Sequence, residues 1–262
     1  MHLGEVWRFR ELLLTLAGRD VKIRYKQTAL GVIWVILQPL LAAGIFSFVF
    51  GKVAKLSSGE VPYFIFSYCG LLAWNAFSNT LSKSSASLIG NSQLISKIYF
   101  PRLILPLSTI PSTLIDFAVA LAMLAVIMPS SGVHPGWGIV LMPVWLALIL
   151  LLSTGLGLIT SALTVSYRDV QYILPVLLQL MLYASPVAYE VTKLNLTPRQ
   201  STFYFLNPLS SLLEAFRWSL LGPRGGTLMW SNLWYSAAVS VSVFVVGLVG
   251  FSRMERRFAD VI

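Results

Sequence analysis

Apolar residues in this chain come in long unbroken runs, not in alternation. Residues 19–50 read RDVKIRYKQTAL and then GVIWVILQPLLAAGIFSFVF. The basic residues Arg19, Lys22, Arg24 and Lys26 pass directly into about 20 positions without a charge, the length an α-helix needs to cross a hydrocarbon core of roughly 30 Å. This span is expected at about 31–50, and five more follow at about 61–81, 103–128, 138–163, 173–189 and 232–251. Only helices or closed barrels satisfy the backbone in lipid, and continuous apolar runs select helices. The expected fold class is an all-α polytopic membrane protein with six transmembrane helices.

Residues before the first span have a different pattern. Arg8, Glu11, Thr15, Arg19, Lys22 and Lys26 recur at three- and four-residue steps, while Val6, Phe9, Leu13 and Leu16 fall on another face. That predicts an amphipathic helix lying on the membrane surface, apolar face down. The chain divides accordingly into an N-terminal interface segment, 1–28, and a six-span domain, 29–262.

Two connections are more than turns. Residues 83–102 contain NSQLISKIYFPR, a helix-compatible piece with Leu94, Ile95 and Ile98 on one face and Pro101 ending it. Residues 190–231 contain NPLSSLLEAFRWSLLG. There Asn207 suits an N-cap, Pro208 the first helical position and Gly222 the stop. With Glu214 and Arg217 inside, this segment is too short and too polar to span. A short outer helix, re-entrant or interfacial, is expected instead.

Charge then fixes orientation. The 262 residues are 56% hydrophobic and 11% charged, with a net charge of +9; ordinary soluble domains carry about 25% charged residues. The cations stand at the ends of apolar runs instead of forming a solvated patch, which argues against a nucleic-acid partner. With six spans, 13 cations (among them Lys83, Lys97, Arg102, Arg168 and Arg253) lie on one side and 6 (Lys52, Lys55, Lys193, Arg199, Arg217, Arg224) on the other. The positive-inside rule then makes both termini cytoplasmic.

Candidate chemistry is sparse. The spans contain one ionisable residue, Asp116, which pairs with a neighbouring helix or meets a substrate, and which alone supplies no acid/base pair. The one cysteine, Cys69, and the two histidines, His2 and His134, make no metal cluster. Gly51-Lys52 lacks the rest of a phosphate-binding loop, so no nucleotide cofactor is expected on this chain. Ser153, Gly157 and Ser161, and likewise Ser236 and Ser240, have the spacing that lets membrane helices approach closely. Aromatics are dense toward the outer ends of spans, including Tyr63, Tyr68, Trp74, Tyr183 and Trp230. They are read as an interfacial belt, or as flat faces along which sugar rings slide.

Taken together, RDVKIRYKQTALGVIWVILQPL, GLLAW at 70–74, NSQLISKIYFPR, SYRDVQYILPVLLQ at 166–179 and YFLNP at 204–208 resemble the permease subunits of ABC exporters for O-antigen, capsular and teichoic-acid polysaccharides. The resemblance covers almost the full length. It implies a homodimer enclosing a channel in the bacterial inner membrane, with two ATPase subunits that supply the ATP and Mg chemistry. It further implies that the piece Leu94, Ile95, Lys97, Ile98 and Tyr99 docks on the ATPase. The first and fifth spans would flank a substrate path, here assigned to Trp34, Tyr63, Tyr183 and Asp116. Arg24 and Lys26 would meet the headgroup of a lipid-linked glycan at the inner leaflet. Asn207, Pro208, Glu214 and Arg217 would close the outer side. A permease for drugs or other lipids shares the fold, and a membrane-embedded transferase of lipid-linked sugar synthesis is the more distant alternative.

Overall fold

The computed structural model describes all residues except 1–2, 27–30, 57–58, 192–196 and 256–262. Lys193, Arg256 and Arg257 of the charge count lie outside the described residues, as do the side chains of Arg24 and Lys26. In chain order the helices are α1 (Leu3–Arg8), α2 (Arg10–Lys26), α3 (Gly31–Phe46), α4 (Tyr63–Gly90), α5 (Ser92–Lys97) and α6 (Ile104–Ser130). There follow α7 (Met142–Ser166), α8 (Val170–Ala184), α9 (Pro198–Phe205), α10 (Pro208–Leu221) and α11 (Trp230–Met254). A π-helical turn, Ser47–Val53, prolongs α3, and a 3₁₀ turn, Trp137–Leu141, leads into α7. No strand occurs among the described residues.

Four of these stretches are long and apolar enough to cross a membrane: Ile33–Val53, Ile104–Ser130, Trp137–Ser166 and Trp230–Met254. The other two expected spans differ for separate reasons. At 28 residues α4 is long, but Asn75, Asn79, Ser82 and Lys83 line one side of it. At 15 residues α8 rises only about 22 Å, at 1.5 Å per residue.

Helix α4 is the central element. It packs on α3, α6, α7, α8 and α10, and its Phe66, Phe77 and Leu72 are buried in the main core with Ile149, Leu212 and Phe216. A second cluster forms at the opposite end from α10, where α4 ends, α6 begins, and α7 and α11 end: Leu88, Ile104, Leu158 and Phe251 meet there. Helices α4, α7 and α11 therefore run in one direction and α6 in the other. We call the two ends of the bundle the α5 end and the α10 end.

Between apolar helices in lipid, close backbone approach does what the hydrophobic effect does in water. A Cβ at Gly247 would lie 2.4 Å from the Gly155 carbonyl oxygen, so α11 and α7 touch backbone to backbone. A Cβ at Gly157 would lie 2.6 Å from the Ser84 side chain, which seats α7 on α4. The spacing of Ser153, Gly157 and Ser161 was thus correctly read as packing, and all three are buried.

The N-terminal helix uses its apolar face in an unexpected way. Leu16 is buried, and Phe9, Leu12 and Leu13 pack with it, in the cluster at the α5 end; α2 lies along α6. That face is turned to protein. Trp7, Leu14 and Ile23 are the exposed apolar residues of the segment.

Candidate functional site

Helix α8 stops at Ala184 because Ser185 is extended (φ −105°, ψ 153°) and Pro186 follows it. The next residues form a strap instead of more helix, with Ser185 and Val187 fully buried. Buried backbone outside a helix needs partners for every polar group, and here side chains supply them. The Arg217 guanidinium donates from Nη1 to the Pro186 carbonyl at 2.8 Å, from Nη2 to Tyr189 at 3.4 Å and from Nε to Gly225 at 2.8 Å. Tyr63 donates its hydroxyl to the Ala188 carbonyl. The Val191 N–H donates to Glu214 Oε1 at 3.1 Å, and Asn207 Nδ2 donates to Ser185 Oγ at 3.1 Å.

The strap also fits tightly against α4. Gly70 faces it directly, since a Cβ there would stand 2.4 Å from the Val187 carbonyl oxygen. Arg217, 0% exposed, lies over the Phe66 ring at 4.1 Å, an arrangement in which ring electrons stabilise the cation. Burial pushes the Glu214 carboxyl above the ordinary carboxylate range, and the nearby Arg217 guanidinium opposes that shift. Asn207, Glu214 and Arg217 are therefore brought together as a clamp on the strap, while Pro208 opens the helix that carries Glu214 and Arg217. Arg217, one of the six cations on the expected outer side, is the most buried charge among the described residues.

The local signals for α10 read correctly. Asn207 Oδ1 accepts from the Leu209 N–H at 3.1 Å, Pro208 opens the helix, and Gly222 ends it at φ +65°. Preceding α9 starts in a Thr197–Gln200 capping box, for which Thr-Pro-x-Gln is the local signal.

The assigned path residues are not one constellation. Trp34 (54% exposed) sits near the start of α3 and Tyr183 (57% exposed) near the end of α8, on opposite ends of the bundle. Tyr63 is engaged with the strap. Tyr68 and Trp74 are core residues, Tyr68 donating to the Ala120 carbonyl at 3.0 Å. Asp116 is buried on α6 and accepts from Lys83 Nζ of α4 at 3.0 Å, while Lys83 also donates to Ser112 Oγ at 3.1 Å. Lys83 was placed in a cytoplasmic loop by its charge. In fact α4 continues seven residues past it, so the bundle holds an ion pair where sequence indicated one lone carboxylate.

At the α5 end, the expected docking face is split. Leu94 and Ile95 pack inward on the cluster that contains Leu16, Leu88 and Phe251. Helix α5 ends at Lys97, and Ile98 is extended (φ −134°, ψ 134°). Ile98 and Tyr99 consequently point away from the bundle, 56% and 89% exposed, beside an exposed Lys97. Phe100 turns back into the core. The outward surface is Lys97-Ile98-Tyr99, not a Leu94–Ile95–Ile98 stripe.

The chain as a whole is similar to known proteins. The profile of a family described as ABC-2 type transporter matches residues 11–221. The chain is 31% identical over 213 residues to the O-antigen export system permease protein RfbA of Myxococcus xanthus, covering 81% of each chain. It is 29% identical over 258 residues to the protein of that name from Klebsiella pneumoniae, covering 96% of this chain and 95% of the relative. With the polysialic acid transport protein KpsM of Escherichia coli it shares 25% identity over 243 residues, or 90% and 91% of the two chains. The chain belongs to the ABC-2 type transporter family.

Proposed function

We propose that this chain is the permease subunit of an ATP-driven exporter that carries a lipid-linked polysaccharide, such as O-antigen, across the bacterial inner membrane. The observation that carries the reading is the tip at the α5 end. There Ile98 and Tyr99 stand exposed on the connection between α4 and α6. A chain without a phosphate-binding loop has to receive its energy mechanically, and an apolar, aromatic surface beside Lys97 is suited to the groove of an ATPase subunit. The names of relatives along 81–96% of the chain support a glycan as cargo.

In this reading α3, α4, α6, α7, α8 and α11 are six spans, with the N-terminal segment at the inner membrane surface and both termini cytoplasmic. The strap completes the short fifth span on the outer side. Two copies of the chain enclose the path, and two ATPase subunits bind below. Deleting the gene should remove the surface polysaccharide and leave lipid-linked glycan inside the cell. Cysteine labelling should find residues 93–99 inside and 131–136 outside. Unchanged surface glycan would overturn the cargo, and an external α5 would overturn the orientation.

A further inference from the structure

One side of α4 is only partly covered by the rest of the chain. Asn75, Asn79, Ser82, Lys83 and Ala86 follow one another at three- and four-residue steps within an arc of about 100°, at 100° per residue. None is fully buried, and Ser82 and Ala86 are exposed. A lipid-facing stripe would be apolar, as it is on α11, where Val241, Val245 and Val246 face outward. This stripe carries amides, a hydroxyl and an ammonium, and its Asn75, Asn79, Lys83 and Ala86 floor a groove walled by α6 on one side and by α3, then α2, on the other.

Two cavities lie along that groove, on either side of the Lys83–Asp116 pair. The one deeper in the bundle, about 50 Å³, is lined by Gln38 of α3, Asn75 and Asn79 of α4, and Thr113 and Asp116 of α6. Pro39 also lines it, and a proline takes the usual helix donor away from the Val35 carbonyl. The larger one, about 290 Å³, opens at the α5 end between α2, α4 and α6. That approaches the lower size of small-molecule sites, about 300 Å³.

The hydrogen-bond inventory of the larger cavity identifies its ligand class. Ser87, Ser108, Thr109 and Ser112 each donate their one hydroxyl proton to a backbone carbonyl three residues back in their own helix, at 2.7–2.9 Å. What they offer the cavity is oxygen lone pairs. Asn91 donates to the Ser87 carbonyl at 2.8 Å, and its Oδ1 is taken by Arg19 at 2.8 Å. Asp20 adds a carboxylate paired with Arg19 at 3.0 Å, and Lys83 is held between Ser112 and Asp116. The lining is rich in acceptors and its charges are balanced. A phosphate group, itself only an acceptor at these sites, is poorly served. A polyol, which brings O–H donors with its acceptors, matches both the hydroxyl wall and the amides deeper in.

We propose that this groove between α4 and α6, closed by α3 deeper in and by α2 at the α5 end, is a water-filled sugar-binding track, in which Asn75, Asn79 and the hydroxyls of α6 contact successive neutral monosaccharide units of the exported glycan. This inference rests on the export reading above, and adds to it which residues meet the sugar and which chemistry they select. Lys83 is held by Asp116 as a fixed donor at the junction of the two cavities.

Native Cys69 is fully buried, so single cysteines can be read against a silent background. Asn79→Cys and Ala86→Cys in the permease–ATPase complex, in inside-out vesicles, should react with a charged methanethiosulfonate, whereas Val246→Cys should not. Labelling should be slower in vesicles from glycan-producing cells than in vesicles from cells blocked in glycan synthesis, and unaffected by inorganic phosphate. Export by Asn75→Leu/Asn79→Leu should fall about tenfold for the lost hydrogen bonds, with Asn79→Gln retaining most of it. If the double variant does not accumulate, Ala86→Leu fills the open cavity without disturbing the core and should give the same loss. Unreactive groove cysteines, protection by phosphate, or normal export by the leucine variants would overturn the proposal. Loss of the export reading itself would be seen separately, as surface glycan that survives deletion of the gene.

Discussion

Arg217→Ala is expected to destabilise the protein more than any other single truncation outside the apolar core. The substitution removes three donors from the carbonyls of Pro186, Tyr189 and Gly225 and leaves buried Glu214 without its neighbouring cation. Removing one member of a buried charged arrangement costs about 3–5 kcal/mol, because the groups left behind stay desolvated. Arg217→Lys should recover only part of this, since one ammonium cannot reach along the strap as the planar fork does. The measurement is thermal inactivation of detergent-solubilised protein together with proteolysis of residues 185–191. Arg217→Ala should melt lower and be cut faster there. A wild-type melting point would show that the strap is held by other contacts.

The second large effect is expected at the other end of the bundle, and it separates two isoleucines three residues apart. Ile98→Asp and Tyr99→Asp alter side chains that the chain itself leaves exposed, so the permease should accumulate normally. If the tip seats in the ATPase, each should weaken that complex by about 2 kcal/mol, roughly thirtyfold in affinity, as buried interface anchors do. Ile95→Asp should behave differently, because Ile95 packs with Leu16, Leu88 and Phe251 and its charge would disturb the base of the bundle. Lys97→Ala should cost only about 0–1 kcal/mol, the range for an exposed ion pair. Affinity capture of the ATPase by each variant checks the ordering. Undiminished capture by the Ile98→Asp/Tyr99→Asp double variant would place the contact elsewhere.

Long apolar runs made most helices legible in the sequence, and the first, third, fourth and sixth expected spans match long helices within a few residues. The central helix was harder to bound. Its polar side at Asn75, Asn79 and Lys83 lowers the local hydropathy, and Lys83 consequently looked like a loop cation. Only its partner on α6, Asp116, explains a lysine there, and that pairing is long-range. The split of Leu94 and Ile95 from Ile98 was equally invisible. Three apolar residues at helical spacing share a face only while the helix lasts, and α5 stops at Lys97. Arg217 shows the limit most plainly. Its partners are backbone carbonyls, which every residue carries, so no pattern of side chains marks the charge as buried. The cap and stop of α10, in contrast, are written in local residue types, Asn207-Pro208 and Gly222, and were readable.

A permease of this kind must move glycan only when its ATPase hydrolyses ATP. Inside-out vesicles bearing the permease and its ATPase should accumulate labelled lipid-linked polysaccharide in a form that an externally added glycosidase cannot reach. That protected fraction should require ATP hydrolysis and disappear with the Ile98→Asp/Tyr99→Asp variant, while its spans remain inserted. Accumulation that proceeds equally without ATP, or that is untouched by loss of the tip at Ile98 and Tyr99, would contradict it.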